Sequence, residues 1–480
     1  MGKWKGPRPG SAPQQGSSSS EPQRYVPPNR RSSRQQRPES SRQGSVGNVQ
    51  SSTPASLLKE AASLQNRGER QSGQLSCQYL QQAVDIYRSV LQMPTDEEQR
   101  NEAFFELGET LLRLSEMRVS SAPPASCLSE EVQLSLQALE MQKQAIEAYH
   151  QVKEEGVVRE DALVNSGNAL ASMAELMMVA GDAPGAAGTL ERCVETYMTA
   201  LESSPDDVDT LTNCADAQMR RAEVLCDMGN SDDVERLFQQ ALELYGIARG
   251  HADPRLGDDI FGILHNWGVA LYTMAQKAND PATVLTLLDQ SAAMLREAGG
   301  MKRTDPGVRN ALGDALSSRA ETLAKQGALP EAMEAYLAAR NDGYGGALLI
   351  DRMNTDAGIG QAEVHLGVGR LRMEEIFALD TSVQTEAEAA ARAEYAAGAD
   401  VYSRVIAAVT SNRDVRWTFS ERSEVLYGYA CACAGAGREL QCHEALQDLV
   451  SCGGASIVEI AADADFKSVR SKDWFQALRA

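Results

Sequence analysis

The chain has 480 residues, 42% hydrophobic and only 5% aromatic, a balance that favours closely packed helices over sheets. Its formal charge of −21 is uneven: residues 1–53 hold nine Lys/Arg against Glu21 and Glu39, a charge of +7, which leaves −28 on the rest. So acidic a body excludes duplex nucleic acid as a direct ligand of the folded part. No apolar run approaches the roughly 20 residues of a membrane span, so no membrane role is expected. The nine cysteines form no secreted-type framework, which predicts a reducing, cytoplasmic or nuclear setting.

Residues 1–53 are rich in Ser, Gln, Pro, Gly and Arg and cannot bury enough apolar surface to offset their ordering entropy, which predicts a disordered basic tail. Trp4, Tyr25, Arg30 and Arg31 are its candidate contacts, able to meet RNA or an acidic protein through charge and stacking. Arg24-Tyr25-Val26-Pro27-Pro28-Asn29-Arg30-Arg31 resembles a short element of tails in RNA-processing and translation proteins. The same Ser/Arg-rich, acid-poor composition also suits an organellar transit peptide, with a chloroplast location as the alternative. Serines beside arginine make phosphorylation an expectation.

From Thr53-Pro54 onward the periodicity is helical. Leu163, Gly167, Leu170, Ala174 and Met177 form one stripe of a helix that stops at Gly181-Asp182. Pro184 opens the next helix, where a missing N–H costs little, and Leu190, Cys193, Val194, Tyr197, Ala200 and Leu201 form its stripe. Ser204-Pro205-Asp206-Asp207 ends that helix and caps another. Pro254, Pro281, Pro306 and Pro330 punctuate the chain in the same way. No convincing period-2 strand occurs, so the class is all-α. Residues 117–132 and 378–390 read as inserted loops.

Two patterns recur. Second helices carry a small–large–small step: Ala83-Tyr87-Val90, Ala145-Tyr149-Val152, Cys193-Tyr197-Ala200, Ala241-Tyr245-Ala248, Ser291-Leu295-Ala298, Ala332-Tyr336-Ala339 and, with a weaker Gly start, Gly398-Tyr402-Val405. First helices carry an apolar–Gly step at Leu107-Gly108, Trp267-Gly268, Leu312-Gly313 and Ile359-Gly360, with Ser166-Gly167 and Cys214-Ala215 as variants. A mid-helix Gly costs about 1 kcal/mol against Ala and needs a packing reason.

These residues resemble the tetratricopeptide repeat (TPR) family over residues 54–451. The resemblance implies a right-handed α-solenoid of about seven to eight helical hairpins, behind the tail at 1–53 and closed by a C-terminal capping helix within 452–480. Asp465-Phe466, Val469-Arg470 and Trp474-Phe475 look like that cap. A family repeat is about 34 residues, whereas the Gly steps here lie 45–59 apart. The 22 residues from Ala145 to Gly167, Cys193 to Ala215 and Ser291 to Gly313 are constant, so the excess lies in lengthened hairpins.

The resemblance also implies a protein- or peptide-binding groove on the first helices. Its wall falls on Asn168, Ser172, Asp216, Arg220, His265, Tyr272, Thr273, Asn310, Asp314, Gln361 and His365, polar residues expected to face solvent or a ligand. Tyr272, Arg220, His265 and His365 are the anchors by residue type. One TPR subclass clamps chaperone carboxylates. Its two Asn are matched by Asn168 and Asn213, but Val164, Gly262 and Asn266 stand where its cations belong, so no such clamp is expected. Cys431, Cys433, Cys442, His443 and Cys452 fit no zinc spacing and read as core. There is no Walker loop, nucleophile elbow or H-E-x-x-H. The expectation is a non-enzymatic scaffold without cofactor or metal, binding a protein partner of basic character, with RNA as an alternative partner of the tail.

Overall fold

The computed structural model describes residues 53–121, 128–153, 157–229, 233–253, 257–376, 381–411 and 417–478. Trp4, Tyr25, Arg30 and Arg31 lie outside them. Among the described residues all regular structure is helical, as the periodicity predicts, and it forms eight hairpins. They are α1 (Pro54–Glu69) with α2 (Gly73–Leu91), α3 (Glu97–Ser121) with α4 (Leu128–His150), α5 (Val157–Val179) with α6 (Ala183–Ser203), and α7 (Val208–Asp227) with α8 (Val234–His251). Then come α9 (Gly257–Lys277) with α10 (Pro281–Met301) and α11 (Pro306–Lys325) with α12 (Leu329–Ala338). Helix α12 runs through a π-helical turn, Ala339–Tyr344, into α13 (Gly345–Ile350). Last are α14 (Thr355–Ile376) with α15 (Thr381–Ser411) and α16 (Phe419–Ala436) with α17 (Glu439–Ser451).

Local chemistry sets the boundaries. Asp182, Asp207, Asp280 and Asp305 accept backbone N–H groups at the starts of α6, α7, α10 and α11. Pro sits in the first turn of α1, α6, α10, α11 and α12. Four first helices end at a left-handed glycine, Gly181, Gly229, Gly327 and Gly437. The helices of the regular units have 18–23 residues, which is the lengthening the spacing predicts.

Each helix packs on its neighbours in sequence, and the buried clusters overlap in order from Leu58 to Phe475, so one interior runs through the array. First helices also approach one another from unit to unit: α1 to α3, α3 to α5, and on through α14 to α16. Late in the array, α16 comes back within 8 Å of α4 between Cα atoms.

The Gly steps are where the hairpins close. A Cβ built on Gly108 would lie 2.7 Å from the Tyr149 ring, and one on Gly313 would lie 2.6 Å from Tyr344. Gly167 meets Tyr197, and Gly268 meets Leu295 at 2.7 Å. Tyr336 packs on Gly367 rather than on Gly313, and Tyr344 sits between Gly313 and Gly360. From Gly167 to Tyr197 is 30 residues and from Gly313 to Tyr344 is 31, and the π turn just before Tyr344 absorbs the extra residue. The inserted loops are largely helix: α3 runs to Ser121, α4 starts at Leu128, and α15 starts at Thr381 on an Ala/Glu-rich run of strong helix formers.

The cap is not one helix. It is α18 (Ile457–Ala462), a 3-10 turn (Ala464–Phe466) and α19 (Asp473–Ala477). Ile460, Phe466, Val469 and Phe475 all reach the last core cluster. Their spacing places them on one face only if the chain turns between them. Arg370 of α14 grips both oxygens of Asp465, and the Tyr427 hydroxyl donates to Asp463 at 2.6 Å, tying the cap down.

Candidate binding face on the first helices

At three of the steps the residue that follows points back into its hairpin and accepts a hydrogen bond from a tyrosine opposite. Tyr197 donates to Asn168 at 2.6 Å, Tyr344 to Asp314 at 2.6 Å, and Tyr245 to Asp216. In the first unit Tyr87 donates to Gln65 at 3.1 Å. An asparagine from the next first helix joins the same acceptors: Asn213 reaches Asn168 at 3.4 Å, Asn266 reaches Asp216 at 2.9 Å, and Asn165 reaches Glu109 at 3.4 Å. The result is a polar ladder that crosses unit boundaries. Each rung is worth about 1 kcal/mol net and costs more if left half made.

Burial acts on the carboxyls of this ladder. Asp216 is pushed up to about 7 by desolvation, against the hydrogen bonds from Tyr245 and Asn266. Asp314 rises to about 6 by the same cause, held back by Tyr344. Further along, burial lowers the His265 imidazole, which stacks on Phe261, and raises the Tyr272 hydroxyl.

None of the eleven residues read as groove wall is exposed, and Thr273 and Asn310 are buried. Asn168, Asp216 and Asp314 belong to the ladder. Asn310 donates to Asn354 at 3.0 Å, Arg220 pairs with Glu175, and His365 lies 2.7 Å from Glu394. Ser172, Tyr272 and Gln361 are half-buried. These side chains are spread along five first helices rather than gathered at one point. Most of their polar atoms serve the array itself, which sequence spacing does not reveal because their partners lie about 30 or 45 residues away.

What sequence reasoning missed is an acidic surface on the first two units. Glu69 at the end of α1 and Glu102 on α3 are exposed, and Glu106 and Glu109 are half-buried beside them. Glu106 is pushed up to about 7 by burial and by the charges of Glu102 and Glu69. Glu109 rises to about 8 through burial, Glu106, Glu69 and Asp161. The charges acting on this pair are all negative, and only hydrogen bonds from Gln65 and Asn165 oppose them. The i, i+4, i+7 spacing of Glu102, Glu106 and Glu109 was the available signal.

Other clusters read as structure. Cys431, Asp463 and Asp465 bring one ligand atom each within 4.8 Å of one another, but Arg370 already holds Asp465, and burial pushes the Cys431 thiol up. Cys433 and Cys442 are buried in the same core. Two shallow recesses lie on the array. One of about 480 Å³ is lined by Ser403, Thr410 and Tyr429, and one of about 450 Å³ by Arg88, Leu107 and Gln144; neither sets a nucleophile beside a base. Among the described residues no helix is long and apolar enough to cross a membrane.

No protein-family model and no curated protein matches the chain. Solved structures similar to it include BtubC from P. vanneervenii, at 16% identity and a TM-score of 0.37, covering 57% of this chain and 90% of that one. The S. pombe nuclear import adaptor Nro1 is similar at 11% identity and a TM-score of 0.36, covering 70% and 99%. A TPR repeat-containing protein from Cytophaga hutchinsonii, of which the C-terminal part was solved, is similar at 11% identity and a TM-score of 0.34, covering 68% and 98%.

Proposed function

We propose that the chain is a non-enzymatic protein-binding scaffold whose first-helix face holds a basic segment of a partner protein. The supporting observation is the acidic surface of α1 and α3. Burial, and after it the charges of neighbouring carboxylates including Glu69, pushes Glu106 up to about 7 and Glu109 to about 8. A bound lysine or arginine relieves that repulsion and forms charge-assisted hydrogen bonds. The half-buried Ser172, Tyr272 and Gln361 continue the same face along later units.

A labelled arginine-containing peptide, titrated onto the full chain at low ionic strength, tests this. Binding should weaken as salt rises and should fall at least about tenfold in Glu106→Gln/Glu109→Gln, since each lost charge-assisted contact is worth about 1.5–3 kcal/mol. Equal binding by the substituted chain rules out this face.

A further inference from the structure

We propose that Arg340, Arg372 and His365 form a phosphate site at the junction of α14, α15 and the π-helical turn, and that its ligand is a phosphorylated side chain of a partner protein. The site lies on the sixth and seventh hairpins and is independent of the acidic face of α1 and α3.

The local structure brings the three side chains together. His365 and Arg372 stand seven residues apart on α14, and so on one face of that helix. The π-helical turn Ala339–Tyr344 carries Arg340 to the same place, and turns of this kind recur at functional sites. All three converge on Glu394 of α15. The His365 Nδ1 lies 2.7 Å from its Oε2, the Arg340 Nη1 lies 3.8 Å from the same oxygen, and the Arg372 Nη2 lies 3.5 Å from Oε1.

That carboxylate serves the imidazole and leaves the two arginines short. Elsewhere in the array an arginine that crosses between helices has a carboxylate to itself and closes on it. Arg221 donates to Glu191 at 2.5 Å, Arg249 to Glu297 at 2.9 Å, Arg319 to Asp289 at 2.7 Å and Arg438 to Asp400 at 2.6 Å. Here two guanidinium groups share one carboxylate, neither closes to the usual hydrogen-bond distance from it, and the Arg372 Nε–H is buried without a partner. Both cations remain open to solvent, with side chains 26% and 38% exposed.

Shape and charge name the ligand. Glu394 offers two oxygens and a single negative charge to three nitrogen groups. A phosphate monoester offers three acceptor oxygens and a charge of about −1.5 to −2, enough for both guanidinium groups, and guanidinium forks match its geometry. It seats by displacing the Glu394 side chain, which occupies the place in the free protein. The two recesses of the array are lined by other residues. A free small molecule takes a concave pocket, whereas an open junction suits a phosphate carried on a larger chain.

The test titrates the full chain with a capped Ala-phosphoserine-Ala peptide, followed by phosphorus NMR, beside inorganic phosphate and the same peptide with glutamate in place of phosphoserine as competitors. The phosphopeptide should bind, and Arg340→Gln/Arg372→Gln should weaken it by at least about tenfold. Glu394→Gln removes the competing carboxylate and should tighten it by at least about threefold; opposite shifts from one cluster separate binding from loss of fold. Arg249→Gln, at a one-to-one pair, should leave binding unchanged. Binding that ignores Arg340 and Arg372, that falls equally in Arg249→Gln, or that gains nothing from Glu394→Gln overturns the site. Equal competition by the glutamate peptide overturns its selectivity for phosphate. Tighter binding of inorganic phosphate than of the phosphopeptide overturns the partner segment as its ligand.

Discussion

Gly167 and Gly188 lie in the two helices of one hairpin and should respond oppositely to alanine. Replacing a helix-interior Gly by Ala is worth about 1 kcal/mol in backbone entropy. At Gly188 a new Cβ meets nothing within 4 Å, so the full gain should appear. At Gly167 it would enter the Tyr197 ring, with Cδ1 at 2.7 Å and Cζ at 2.8 Å, against about 3.5–4.0 Å for a carbon contact at rest. The ring cannot retreat cheaply: Tyr197 is 2% exposed and its hydroxyl holds Asn168 at 2.6 Å. Overpacking of this kind costs about 1–3 kcal/mol, and displacing the hydrogen bond adds about 1 kcal/mol. Gly167→Ala should therefore destabilise by about 1–3 kcal/mol net, and the two variants should differ by about 2–4 kcal/mol. Urea midpoints give the sign. Hydrogen exchange over residues 157–203 localises the effect, because units of an array open locally. If Gly167→Ala is as stable as Gly188→Ala, the steps are not close-packing contacts and the account of the hairpin joint fails.

The raised carboxyls fix the pH dependence. Glu106, Glu109, Asp216 and Asp314 keep protons in the folded state, at about 7, 8, 7 and 6, that the unfolded chain releases near 4. Stability should therefore fall as pH rises from about 4 to 8; Glu106→Gln/Glu109→Gln should flatten the curve and raise the melting temperature at pH 8, and an unchanged slope counts against mutual repulsion. Phe475→Ala removes a fully buried ring from the cap and should cost about 3–5 kcal/mol, with exchange rising first in α16 and α17; uniform loosening of the whole array would contradict a local capping role. Tyr344→Phe leaves Asp314 without its donor, and should cost about 1–3 kcal/mol and move the Asp314 titration, read by carboxyl NMR, further up.

Helical class, hairpin lengths and the Gly–Tyr joint were legible because each rests on local spacing, as in Gly167 with Tyr197 and Gly108 with Tyr149. The partner of Gly313 was not legible, because the sequence supplies two tyrosines, Tyr336 and Tyr344, and the π-helical turn Ala339–Tyr344 brings the second one to the glycine. The cap residues Phe466 and Phe475 were visible, but not the turns that bring them together. The groove residues were chosen for polarity, yet polarity does not distinguish a side chain that awaits a ligand from one spent on the next helix, as Asp216 is on Tyr245 and Asn266. The acidic surface went unseen because Glu69 and Glu102 lie on different helices, and their proximity is a product of stacking.

The return of α16 to α4 has a consequence for how such a chain can vary. In an open stack, a duplicated or deleted unit shifts only the far end. Here every joint contributes to the angle at which the late hairpins arrive beside the early ones. Gain or loss of a single hairpin would carry α16 past α4 or leave it short, so this arrangement counts its units, and length variation should be tolerated at the hairpin tips and not in the number of hairpins.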